Sequence, residues 1–206
     1  MSRSLRIAVA DDEPDVLQYL RTTLPLLGHQ VVVAARTGDE LLARCRVAHP
    51  DLVITDIRMP NLDGIAAGAE LFRERPTPVI LVSAYHDPEL VGRAGSECVF
   101  GYLVKPIKEA DLPPAIAVAM SRFEQFRALR QDAADLRQAL EDRKLVERAK
   151  GVLMRRSGAD EADAYRRLQK LATDRRCKLA EAAQWVLTVD DATRPPDGPT
   201  GTGITR

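Results

Sequence analysis

The residues of this chain best suited to chemistry are acidic and stand just after apolar runs: Asp11 and Asp12 follow the first run, and Asp56 follows the third. Ser83 ends the fourth run, and Lys105-Pro106 follows the fifth. If the runs are parallel strands, these residues meet at one edge, because the ligand crevice of an open parallel sheet lies beyond the carboxyl ends of its strands. Carboxylates gathered there repel by roughly 4 kcal/mol for a pair 4 Å apart at an effective dielectric near 20, so their convergence calls for a cation. Oxygen-only ligands favour magnesium. A carboxylate beside that ion can attack a phosphoryl group to give an acyl phosphate. The metal and the Lys105 ammonium would neutralise the transferring oxygens, and the Ser83 hydroxyl could bond one of them. Taken singly, each Asp could merely cap a strand or start a helix. Their recurrence on successive strand ends argues for chemistry.

The intervening pattern supports the strands. LRIAVA, QVVVAA, DLVITD, PVILVSA and GYLV are short continuous apolar runs, as parallel strands covered on both faces require. Between them VLQYLRTTLPLLG, DELLARCRVA, GIAAGAELFRE and PELVGRAGS read as helices, and another begins near Asp111. The alternation predicts an α/β fold, a doubly wound five-stranded parallel sheet with five helices complete by about Met120. Lacking Gly and Pro between Ala115 and Lys150, the next stretch predicts one helix from Asp111 to Arg156. Phe126, Leu129, Ala133, Leu136 and Leu140 repeat along it at spacings of 3, 4, 3 and 4, a coiled-coil seam. That seam needs a partner, either a second subunit in a homodimer or the following helices folding back. Gly158 ends the helix, ADEADAYRRLQKLA makes a second, and KLAEAAQWVL makes a third, giving a small all-α output unit. Its expected apolar faces are Ala162, Tyr165, Leu168, Leu171 and Ala172, and Leu179, Ala182, Ala183, Val186 and Leu187. The tail from residue 189 is rich in Pro, Gly and Thr and is expected to be disordered.

Composition narrows the function class. Hydrophobic residues make up 45% and charged residues 29%, with no apolar run long enough for a membrane span and no secretory leader pattern, so a soluble cytoplasmic protein is expected. Cys45, Cys98 and Cys177 are scattered singly, which suggests packing rather than disulfides or zinc. Formal net charge is zero, but residues 143–187 hold twelve Lys/Arg against six Asp/Glu, a surplus of six balanced by the rest of the chain. A basic segment of this kind is either a solvated face or a polyanion-binding surface.

Over residues 5–120 the segments DDEPD, DIRMPNLDG, VSA and YLVKP resemble the receiver domain of bacterial response regulators, a flavodoxin-like fold. The resemblance implies that a sensor histidine kinase phosphorylates Asp56. It further implies that Asp11, Asp12, Asp56 and the Arg58 backbone carbonyl hold Mg2+, and that Lys105 pairs with the phosphoryl group. Pro106 then follows a cis peptide, and Ser83 and Tyr102 form the switch, although Tyr102 could be a plain surface aromatic. Residues 121–142 become a helical linker. Residues 143–188, with AKGVLM at 149–154, an Ala-Tyr pair and a final Leu-x-x-x-Ala helix, resemble the ANTAR domain, a three-helix RNA-binding module of antiterminators. That resemblance implies binding of RNA stem-loops, with Ala149, Lys150 and Gly151 at the contact surface and Arg143, Arg148, Arg155 and Arg156 touching phosphates. Two departures stand out: Ala159 and Lys178 lie where the family often has Ser or Thr helix caps. Tyr165 and Trp185 are expected in the core, which would make RNA reading polar rather than stacking-dominated.

Three readings follow. One is a phosphorylation-controlled RNA-binding antiterminator; another is a DNA-binding regulator using the three helices; the last is a phosphorelay or protein-interaction module. No substrate pocket separate from the acceptor is expected, so the chain would not be an enzyme beyond taking up phosphate on, and hydrolysing it from, its own Asp.

Overall fold

A computed structural model of the chain describes residues 3–84 and 98–193. It divides into two compact units, Met1–Ala128 and Leu129–Arg206. In the first unit the strands are β1 (Arg6–Ala10), β2 (Gln30–Ala35), β3 (Leu52–Asp56), β4 (Val79–Ser83) and β5 (Val99–Val104). They form one sheet in the order β2-β1-β3-β4-β5, and every neighbouring pair is parallel. The chain therefore starts in the middle of the sheet and winds outward both ways. Such a topology opens a crevice between β1 and β3, at their carboxyl ends.

Helices α1 (Pro14–Leu26), α2 (Gly38–Ala48) and α3 (Gly64–Glu74) follow the first three strands. Local chemistry explains their ends. Pro14 opens α1, where its missing N–H costs nothing, and Gly28 at φ +86 accommodates the turn after it. The Thr37 and Asp63 side chains cap α2 and α3 by accepting the amides of Glu40 and Ala66. The expected helix over PELVGRAGS lies outside the described residues. Burial follows the sheet, with all of β3 and Val79 to Val82 of β4 removed from water. Cys45 and Cys98 pack in this core, and burial pushes the Cys45 thiol up to about 12, so it behaves as a small apolar side chain.

Helix α4 runs unbroken over Leu112–Ser157. Its first turns bury Leu112, Ile116, Ala119 and Phe123 in the core of the first unit. The four phenylalanines of the chain meet there, with Phe100 5.3 Å from Phe123 and Phe126 5.6 Å from Phe72 between ring centroids. Phe126 was expected to open the coiled-coil seam, but it belongs to this cluster, because α3 and β5 present two other rings to it. Further along, Leu129, Ala133, Leu136 and Leu140 are exposed.

The second unit contains the end of α4 with α5 (Glu161–Arg175) and α6 (Leu179–Thr193). Gly158 at φ +64 closes α4 as its spacing suggested. Ala149, Val152, Leu168, Ala183 and Leu187 form its core, and Leu145, Val146, Leu153, Leu179 and Val186 pack around them. The face of α5 differs from expectation: Ala164, Leu168 and Ala172 are buried, whereas Ala162 and Tyr165 are exposed. Ala159 is not an unfilled cap either, since α5 starts two residues later and Asp160 caps it by accepting the Asp163 amide at 2.7 Å. At α6 the Lys178 side chain supplies no acceptor, but Glu181 reaches back to the Lys178 amide at 3.3 Å, half of a capping box. Helix α6 continues to Thr193, into the stretch expected to be disordered, and Asp190 within that stretch pairs with Arg156 of α4. Among the described residues no helix is long and apolar enough to cross a membrane.

Candidate functional site

Three parallel strand ends deliver the acidic edge. Asp11 follows β1, Asp56 ends β3, and Lys105 follows β5. Ligand oxygens of Asp11, Asp12 and Asp56 all lie within 4.8 Å of one another. Lys105 Nζ donates to Asp56 Oδ2 at 2.8 Å, to Glu13 Oε1 at 2.7 Å and to Asp11 Oδ1 at 3.2 Å. One ammonium thus engages three carboxylates. Partial burial alone would lower the Lys105 pKa, but hydrogen bonds to Asp56, Glu13 and Asp11 outweigh it and hold the group well above its ordinary range. It stays charged at every physiological pH.

Asp11 is almost fully buried, and burial raises its carboxyl above the ordinary value against the lowering pull of the Glu13 amide and of Lys105. Its Oδ1 accepts the Glu13 amide at 3.0 Å. Its buried Oδ2 lies 3.0 Å from Lys105 Nζ in ion-pair contact yet makes no hydrogen bond. A buried carboxylate oxygen without a hydrogen-bond partner, beside two further carboxylates, fits a hard divalent cation. Asp11, Asp12 and Asp56 can therefore hold a metal ion. Behind them, Gly64 at the start of α3 is packed so tightly that a Cβ would stand 2.0 Å from the Asp56 carbonyl oxygen. Any larger residue there would push the β3 end out of place.

The remaining residues singled out from sequence fall nearby. The Arg58 amide donates to Asp56 Oδ1 at 3.3 Å, which fixes the turn that carries its carbonyl. Ser83 is half-buried at the end of β4, and its carbonyl accepts the Lys105 amide at 2.9 Å. The Lys105-Pro106 peptide is cis. Tyr102 on β5 is half-exposed, and its hydroxyl is raised by partial burial and by Cys98. Glu13 is the participant that the sequence reading passed over. It stands beside the Asp pair in DDE, and only the geometry reveals its bond to Lys105.

In the helical unit the structure separates the residues grouped by sequence. Ala149 is 0% exposed, so it cannot lie at a contact surface; Leu145, Ala149 and Val152 form one stripe along α4 and bury together. Lys150 is only 8% exposed, and its ammonium is held by Glu147 at 2.9 Å and by Glu161 of α5 at 2.7 Å. Those bonds raise its pKa and make it a clamp between helices rather than a waiting phosphate ligand. Gly151 is half-buried, and within ordinary contact of a Cβ built there lies only the Arg155 guanidinium. Arg143, Arg148, Arg155 and Arg156 are exposed. Tyr165 and Trp185, expected in the core, are 39% and 54% exposed.

The Asp11 shift has a consequence for stability. Because its pKa is higher in the folded than in the unfolded protein, ionising it costs folding free energy, and that cost grows as pH rises from 3.8 through the raised value. Asp11→Asn should therefore raise the melting temperature of chelator-treated protein at neutral pH, and the gain should vanish as pH falls toward 3.8. Addition of a divalent cation should stabilise the native protein and not the variant. A variant that melts lower in chelator, or gains as much from the cation, would refute this view of the pocket.

Comparison with known proteins agrees with both units. The family model described as response regulator receiver domain matches residues 7–117, and that of the ANTAR domain matches residues 134–187. The transcriptional regulatory protein PdtaR of Mycobacterium tuberculosis is 40% identical over 182 residues, spanning 88% of this chain and 89% of the relative. The regulatory protein AtoC of Escherichia coli is 36% identical over 138 residues, 66% of this chain and 28% of that protein. Among solved structures, a response regulator receiver domain protein from Clostridium thermocellum superposes with a TM-score of 0.53 at 32% identity, covering 59% of this chain and 98% of its own. The receiver domain of a modulated diguanylate cyclase from Desulfovibrio desulfuricans gives 0.56 at 27% identity, over 60% of this chain and 98% of its own. With an acidic strand-end pocket in one unit and a basic three-helix bundle in the other, this chain belongs to the response-regulator family, as a receiver domain joined to the ANTAR domain of transcription antiterminators.

Proposed function

We propose that a sensor histidine kinase phosphorylates Asp56 and thereby controls binding of the second unit to RNA stem-loops, regulating transcription by antitermination in the cytoplasm. The observation that carries the first half is the Lys105 ammonium 2.8 Å from Asp56 Oδ2, among carboxylates able to hold a cation. Asp11, Asp12 and Asp56, with the Arg58 carbonyl, would hold Mg2+, which supplies charge neutralisation for the transferring oxygens. Lys105 then moves from the free carboxylate to the phosphoryl oxygens. The Ser83 hydroxyl gains an acceptor, and Tyr102, half-exposed before phosphorylation, turns inward. The chain acts as a regulator that modifies its own Asp.

For the second half, Arg143, Arg148 and Arg155 are the exposed cations on α4 suited to phosphates, while Lys150 positions the α5 end. Gly151 leaves room beside them for a ligand. A second copy of the chain is the proposed cover for Leu129, Leu136 and Leu140, because these exposed leucines keep the heptad spacing of a two-stranded coiled coil.

Asp56→Asn is expected to abolish labelling by a small phosphodonor in magnesium; undiminished labelling would place the acceptor elsewhere. The full chain, treated with phosphodonor, should retain RNA from a randomised stem-loop pool in preference to duplex DNA. Arg148→Ala or Arg155→Ala should weaken that binding and reduce its salt slope by roughly one. Equal retention of duplex DNA would instead support a DNA-binding regulator. Light scattering should find a dimer that Leu136→Lys dissociates, and a monomer at every concentration with and without phosphodonor would remove the coiled coil.

A further inference from the structure

The exposed tryptophan of α6 finds no use in the acidic pocket or in the α4 cations. Trp185 is 54% exposed although the Arg175 guanidinium lies over its ring, 3.6 Å from the centroid. The guanidinium covers part of the ring, yet more than half of the residue's surface stays in water. Arg176 and Lys178 follow in the same α5–α6 turn, and both are exposed. Between residues 166 and 178 the sequence carries six basic residues and one acidic residue. Arg176 itself sits at φ 52, a left-handed position that favours glycine. The chain thus keeps a cation where backbone energetics argue for the smallest residue.

A cation–π pin between α5 and α6 would account for the Arg175 contact, but not for an indole left largely in water or for an arginine in the left-handed turn. We infer that Trp185, with Arg175 stacked on it and Arg176 and Lys178 beside it in the turn, forms a stacking subsite for one unpaired base of an RNA loop. The inference rests on the RNA-binding reading above and supplies it with a contact of a different kind. An unpaired base offers a flat apolar face to the exposed indole, and its flanking phosphates match the surrounding cations. Duplex DNA offers the same phosphates but keeps its bases stacked inside, so it cannot fill the subsite. Stacking tolerates any base, so this contact adds affinity and preference for loops rather than sequence choice.

Trp185 is the single tryptophan of the chain, so its emission reports on the subsite directly. Titration of the full chain with the tightest hairpin recovered from the pool should quench that emission along the same isotherm as binding. Trp185→Leu should weaken binding about thirtyfold, the middle of the range for loss of one base–aromatic stack, with Trp185→Phe recovering part of it. Arg176→Gly separates function from folding, because it relieves the left-handed backbone and should leave the melting temperature unchanged or raised while still weakening RNA binding. RNA binding with unaltered tryptophan emission, or unaltered affinity in folded Trp185→Leu and Arg176→Gly, would overturn the subsite and leave RNA binding standing. Equal quenching by duplex DNA would likewise overturn base stacking. Retention of no RNA from the pool would remove the RNA reading and the subsite with it.

Discussion

A single ammonium set against several carboxylates governs the first unit. Lys105 touches Asp11, Glu13 and Asp56, and Asp12 stands within ligand distance of the same oxygens. One positive charge cannot balance four negative ones, and the buried Asp11 Oδ2, although 3.0 Å from the ammonium, makes no hydrogen bond. Such a pocket is cation-hungry by construction. Rigid elements hold these charges together: the end of β1 supplies Asp11, Asp12 and Glu13, β3 supplies Asp56 and the end of β5 supplies Lys105, while the crowding of Gly64 against the Asp56 carbonyl keeps Asp56 from retreating. A phosphoryl group bound at Asp56 would replace a carboxylate oxygen as the partner of Lys105, so the whole network would re-form around the new charge.

The second unit works within tighter limits. Five alanines, Ala149, Ala164, Ala172, Ala182 and Ala183, are buried in it beside Val152, Leu168 and Leu187, and each alanine buries little area. Polar ties compensate at the ends: Lys150 to Glu161, Arg156 to Asp190, and the Asp160 cap. With the small residues turned inward, the large and charged ones are left outside. Tyr165, Trp185 and most arginines of the unit face water.

The sheet and the pocket were legible in the sequence because parallel strands buried on both faces leave continuous Val/Ile/Leu runs, and because chemistry at strand ends leaves Asp and Lys at fixed offsets from those runs. Glu13 was hidden by its ordinary setting next to two aspartates. The helical unit was harder. The ANTAR resemblance implied that Lys150 faces a ligand, yet a partner eleven residues away, Glu161, already engages it. Ala149 sat within a recognisable motif, but the motif also contains the helix stripe that buries it. Its place on an apolar helix face suggested a core position for Trp185, whereas the ring is 54% exposed with the Arg175 guanidinium lying over it. Phe126 kept heptad spacing with Leu129, and only the rings waiting on α3 and β5 decided which side claimed it.

Those rings also restrict how α4 can move. Phe72, Phe100, Phe123 and Phe126 meet at tilted or edge-on angles, from 36° between Phe72 and Phe100 to 80° between Phe100 and Phe123. Rotation of the helix about its own axis would have to carry the Phe123 and Phe126 rings past those of Phe72 and Phe100. Close-packed aromatics of this kind allow a helix either to travel together with its neighbours or to jump to a second interlocked arrangement. A displacement of α4 at this edge of the sheet would therefore come as a step rather than a slide, as a gear engages its next tooth.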